Sequence, residues 1–259
     1  MPLKHFPSHI KHPHRRDHHA FLKHRRVSGI GQLCPCCPVC FFCAQSHVNP
    51  LLISKCSAPK PEKETSLYKA FEKRNREFIG TALTIRNETA EPQIVDQDFN
   101  SVTPENAMKW ESTEPSRNNF TFAGGDAVVA FAKKYDTEIH CHTLVWHSQL
   151  PTWVSGGGFD NKTLISIMEN HIKNVAGRWK GACTRWDVVN EALNEDGTYR
   201  ESVFLDTIGE AYIPIAFRLA AKYAKGSTKL YYNDYNLEYN AEKTQGAQRI
   251  VKLIKSYGV

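Results

Sequence analysis

No stretch of the 259-residue chain is long and apolar enough to span a membrane as a helix, although 41% of its residues are hydrophobic. That excludes a helical span within these residues, and no membrane partner is expected. Excess charge is absent from most of the chain. Residues 1–50 carry seven Lys/Arg and one Asp, which is the whole formal net charge of +6. The remainder balances at 26 of each sign, so any inference from basicity to nucleic acid concerns the first 50 residues alone. Cysteine is scarce where the chain is best patterned: six of the eight lie before residue 57, and only Cys141 and Cys183 follow. This excludes a disulfide-rich scaffold, and the two late cysteines are read as buried small hydrophobes rather than a bridge.

Residues 1–33 hold seven of the twelve histidines, set among Lys, Arg and Pro without periodicity. Such a composition cannot bury enough apolar surface to order itself, and disorder is expected. Cys37-Pro38-Val39-Cys40 and Cys40-Phe41-Phe42-Cys43 have zinc-like spacing. A zinc module usually pairs two such knuckles across a spacer of a dozen or more residues, which is missing, so no metal is expected. Pro and Lys dominate residues 56–64, which read as a linker. The chain thus divides into a basic His/Cys-rich leader and linker over 1–64 and a folded part over 65–259. No signal peptide is recognisable, because the apolar part of the leader starts late and is broken by Pro35 and Pro38. Sequons at Asn87, Asn119 and Asn161 nevertheless suit a glycosylated, secreted protein.

In the folded part, helices are expected at residues 66–76, with Leu67 and Phe71 inward, and at 127–135, 163–175 and 212–223. A closing helix turns Ala247, Ile250, Val251 and Ile254 inward. Strands are expected at 78–83, 99–102, 138–143, 186–189 and 229–232. Alternation at this spacing predicts βαβ units and a parallel sheet. The strand Trp186-Asp187-Val188-Val189 ends on Asn190-Glu191. A carboxylate there is out of pattern for a doubly covered strand, and strand C-termini are where barrel enzymes place catalytic groups. A helix N-cap region explains the same two residues without catalysis.

Asp187-Val188-Val189-Asn190-Glu191-Ala192 resembles the signature around the acid/base glutamate of glycoside hydrolase family 10, the β-1,4-xylanases. Four further segments are similar to that family, in its order: Gly80-Thr81-Ala82, residues 99–111 with Thr103-Pro104-Glu105-Asn106, residues 142–151 with Trp146-His147, and residues 230–236 with Asn233-Asp234-Tyr235. The resemblance runs from about residue 66 to the last residue. It implies an α/β fold, the (β/α)8 TIM barrel, and retaining, endo-acting hydrolysis of internal β-1,4 bonds in xylan.

By the same resemblance Glu191 is the acid/base, which protonates the leaving oxygen and then activates water. Asn190 hydrogen-bonds the sugar 2-OH. Glu105, Asn106 and Lys109 contact the non-reducing-side xylose, although their spacing also fits a solvated helix face. His142, Trp146 and Gln149 line the sugar next to the cleavage point, and Asn233 and Tyr235 make further subsite contacts. His142 and His147 lack the third ligand a metal needs. Xylan or xylo-oligosaccharide is the implied partner, and no cofactor is implied.

Retention takes a second carboxyl about 5–5.5 Å from the first. The family's nucleophile is a glutamate on strand seven, in a Thr-Glu-Leu-Asp-like motif that does not occur in this sequence. Asp234 matches a family aspartate that accompanies the proper nucleophile, so it is not read as a substitute. Five strands stand against the eight of a barrel, and about 195 residues against about 250. The expectation is a barrel truncated after five βα units, inactive alone and prone to aggregate through its open edges. Two alternatives are a catalytically dead xylan-binding protein, and a nucleic-acid or metal module in the leader with the barrel part secondary.

Overall fold

The computed structural model describes residues 66–86, 90–224 and 226–259. The leader and linker over 1–64, with the cysteine knuckles, and the sequon at Asn87 lie outside these residues. The described chain opens with α1 (Leu67–Glu72) and β1 (Gly80–Leu83), followed by α2 (Ala90–Asp98) and β2 (Ser101–Pro104). Two helices, α3 (Trp110–Thr113) and α4 (Ala123–Lys134), lead to β3 (Glu138–Trp146). Next come α5 (Thr152–Ser155), α6 (Asn161–Arg178) and β4 (Cys183–Asn190). The last units are α7 (Val203–Ile208), α8 (Tyr212–Ala224), β5 (Lys229–Asn233) and α9 (Ala241–Ser256).

The strands form one parallel sheet in chain order, β1-β2-β3-β4-β5. Burial follows position in the sheet. In β4 seven of eight residues are buried, which is why Trp186, Val188 and Val189 form a nearly unbroken apolar run. At the edge, β5 alternates exposed and half-buried residues. The outer face is covered by α6, through Leu164, Ile167, Met168 and Ile172, and by α8, through Ile213, Ala216, Phe217 and Ala220. The inner face is concave and holds a cavity of about 540 Å³ lined by Phe78, Ala82, Ser101, His140, Arg185 and Tyr231. This is a five-stranded portion of a (β/α)8 barrel.

Several expectations need correction. The first helix has six residues and buries none of them: Leu67 is 48% exposed and Phe71 38%, because so short a segment packs mainly against α2 among the described elements. In α9, Ile250 and Ile254 face inward, but Val251 is 42% exposed, one step off the buried stripe. α4 begins four residues earlier than its apolar pattern, at Ala123-Gly124-Gly125. Gly125 is required there, since a Cβ would lie 2.1 Å from the Trp179 ring. Strand β3 runs past the expected end at residue 143 to Trp146, so Trp146 belongs to the strand rather than to the segment after it, and His142 lies in the strand as expected. Finally, Cys141 and Cys183 are bridged, with Cα atoms 5.6 Å apart on the adjacent strands β3 and β4.

Candidate active site

The register brings three side chains into one row at the C-terminal edge of the sheet. Trp146 pairs with Asn190 across β3 and β4, and Asn190 with Asn233 across β4 and β5. Glu191 follows directly, in a left-handed conformation at φ 52°, with its backbone N–H donating to the Asn233 carbonyl at 2.8 Å. A left-handed glutamate is uncommon and costs conformational energy, so the turn re-aims the side chain at a price that packing must offset. Trp146 Nε1 donates to Glu191 Oε2 at 3.0 Å, which orients the carboxyl and leaves Oε1 without a hydrogen-bond partner among the described residues. Asn233 Nδ2 donates to Asn190 Oδ1 at 2.8 Å, which turns the Asn190 amide N–H₂ to other acceptors.

A second cluster joins the ends of β2 and β3. Lys109 Nζ donates to Asn106 Oδ1 at 3.0 Å and to Gln149 Oε1, while Gln149 Nε2 donates to the same Asn106 oxygen at 3.1 Å. The ammonium also lies 4.9 Å from the Trp146 ring centroid, linking this cluster to Glu191. Burial pushes the Lys109 pKa down, against the opposing pull of Glu105 and Glu191. Glu105 accepts from the Thr84 hydroxyl at 2.5 Å. None of these residues sits inside a helix: Glu105 and Asn106 precede α3, and Lys109 is its N-cap. The solvated-helix explanation of their spacing is therefore excluded.

His142 stands on the inner face of β3, with Nδ1 2.9 Å from Asp187 Oδ2, and His140 Nε2 lies 2.8 Å from Oδ1. Burial acts to raise the Asp187 pKa, but the two histidine hydrogen bonds outweigh it and hold the carboxylate below its ordinary value. Asp187 was in the motif yet carried no assigned role. Its signal was parity, since Arg185 and Asp187 alternate with the outward Trp186 and Val188.

Sequence reasoning also missed His147 and Arg200. His147 is lowered by burial and by Arg200, with Glu191 and Asp234 pulling the other way. Arg200 donates to the Tyr235 hydroxyl at 2.6 Å, and Tyr235 keeps 42% exposure. The side chain of Asp234, by contrast, is fully buried: Lys243 Nζ lies 3.0 Å away, and the Tyr232 hydroxyl donates to its other oxygen. A carboxylate so enclosed cannot reach a sugar. Among the described residues no group of three His, Cys, Asp or Glu could hold a metal ion.

A parallel barrel-type sheet whose C-terminal strand ends gather an oriented carboxyl, an indole, amides and a lysine defines a barrel protein with a polar site where such folds place theirs. The family model for glycosyl hydrolase family 10 matches residues 66–259, and the chain belongs to that family. It is 70% identical over 199 residues to endo-1,4-beta-xylanase 2 of Aureobasidium pullulans, a match covering 76% of this chain and 55% of that one. With endo-1,4-beta-xylanase A of Fusarium oxysporum f. sp. lycopersici it shares 55% identity over 197 residues, covering 75% and 60%. The structure of xylanase 10B from Thermotoga petrophila with xylobiose superposes at a TM-score of 0.72 and 38% identity, covering 77% of this chain and 62% of that one. The chain therefore spans 55–60% of the length of these two curated relatives.

Proposed function

We propose that residues 65–259 supply the acid/base and the non-reducing-side subsites of a retaining endo-1,4-β-xylanase. The observation that carries this is the Trp146–Glu191 hydrogen bond of 3.0 Å, set in the row formed with Asn190 and Asn233. Glu191, anchored through Oε2, delivers a proton from Oε1 to the glycosidic oxygen as that bond breaks. As a carboxylate it then takes a proton from the water that releases the sugar. Asn190, with Oδ1 occupied, offers N–H to the 2-OH. Glu105, Asn106 and Lys109 bind the non-reducing-side xylose, His142, Trp146 and Gln149 line the sugar next to the cleavage point, and Asn233 and Tyr235 make further subsite contacts.

The retaining route also needs a nucleophilic carboxylate, and the burial of Asp234 argues against that residue. The same enclosure of Asp234 favours one other reading, xylan binding without cleavage. Titration of the chain with xylotriose, followed by tryptophan fluorescence, tests what both readings share. Saturable binding is expected, weakened about tenfold or more by Asn106→Ala, whose oxygen joins Lys109 and Gln149. No binding, or no effect of that substitution, contradicts the assignment. Release of reducing sugar then separates the two readings.

Secretion is proposed as well. It is supported by the Cys141–Cys183 bridge, which suits an oxidising compartment, and by exposed sequon asparagines at 119 and 161. The leader over 1–64 is proposed to be dispensable to the folded part.

A further inference from the structure

Lys243 is 0% exposed and lies in the first turn of α9, two unfavourable places for a cation at once. Burial strips its hydration, and the N-terminal end of a helix carries positive partial charge. Three contacts offset this. Its Nζ is 3.0 Å from Asp234 Oδ1, 3.0 Å from Glu195 Oε1 and 3.4 Å from the centroid of the Tyr235 ring. Burial lowers its pKa, and the hydrogen bonds to the two carboxylates more than reverse that, so the ammonium keeps its charge.

The surroundings are built for this contact. The loop after Glu191 is fastened to α9 by Asn240 Nδ2, which donates to the Glu195 carbonyl at 2.8 Å, and by Arg249, which donates to the Gly197 carbonyl at 2.6 Å. The approach is so close that a Cβ on Gly197, at φ 75°, would meet the Glu242 carbonyl oxygen at 2.4 Å.

We propose that Lys243 is a positioning residue: it locks the loop carrying Glu195 to the end of β5 and holds the Tyr235 ring as a fixed face on which a sugar stacks. The choice of sugar rests on the xylan reading; the geometry does not. If the site served stability alone, an apolar side chain would do as well, since buried ion pairs seldom outperform good packing. A ring backed by a cation on one face and held at its hydroxyl by Arg200 is instead preorganised for a ligand.

The test labels the full chain with 3-fluorotyrosine and follows the Tyr235 resonance, assigned by its loss in Tyr235→Phe. Lys243→Met should shift and broaden that resonance. The same variant should weaken xylohexaose binding on the order of tenfold, as Tyr235→Ala does, with no further loss in the double variant. An unmoved resonance, or additive losses, would overturn the proposal. A shifted resonance in a chain whose wild type does not bind xylohexaose would instead sink the xylan reading and leave the positioning role standing. Should Lys243→Met not fold, Glu195→Gln carries the same comparison, since that carboxyl is half exposed and Asp234 still pairs with the lysine.

Discussion

His171 has no water to help it ionise: it is 0% exposed in α6, stacked 3.7 Å from the Trp110 ring, with Nδ1 3.0 Å from the buried Glu114 carboxylate. Its Nε2 has no partner among the described residues. Neutral His171 donates from Nδ1, and protonating Nε2 would add an unsatisfied donor in a dry site. Burial accordingly pushes its pKa below 6.5, despite Glu114. A histidine whose folded pKa is depressed binds its proton more readily when unfolded. Its contribution to stability is therefore full above pH 6.5 and is lost as pH falls from there toward the folded pKa. Unfolding free energies from urea titrations at pH 7, 6 and 5 should decline with a slope from this group of up to about 1.4 kcal/mol per pH unit. His171→Gln, which keeps a donor for Glu114, should flatten the decline. An unchanged slope would show that another group controls it.

Between elements, the bridge from β3 to β4 closes a loop of 42 residues across the two most heavily paired strands. Replacing both cysteines with alanine should lower unfolding free energy by about 2–4 kcal/mol, measured by denaturant titration. A change below about 0.5 kcal/mol would mean that strand pairing already holds this region. The bridge was not legible in the sequence, because it depends on register, which spacing alone does not reveal. Strand β4 was legible, as its apolar run and the polar pair ending it follow directly from burial and position. So were the ends of β2 and β3, through the family resemblance rather than through periodicity. Helix α2 escaped notice because Pro92 in its first turn reads as a breaker in the sequence and its two aliphatic residues diverge, Val95 at 2% exposure and Ile94 at 55%. Lys243 was hidden for a different reason: a lysine in a charged helix looks solvated until the fold brings two carboxylates and a ring around it.

For the molecule as a whole, the described sheet has β1 and β5 as edges, and its concave face is lined by Arg185, Tyr231 and Phe78. Unpaired strand edges are templates for pairing between chains. Size-exclusion chromatography of residues 1–259 should therefore show species larger than the 29.4 kDa monomer. A single monomeric peak would show that the edges are protected. The most direct test of the acid/base assignment joins this chain to the remaining length of the Aureobasidium pullulans relative, of which it spans 55%. Glu191→Ala in that protein should reduce kcat on xylan by about 10²–10⁴-fold, yet spare an aryl xylobioside whose leaving group needs little protonation. Added azide should yield a product of retained configuration. Equal losses on both substrates, or an inverted product, would contradict Glu191 as the acid/base of a retaining enzyme.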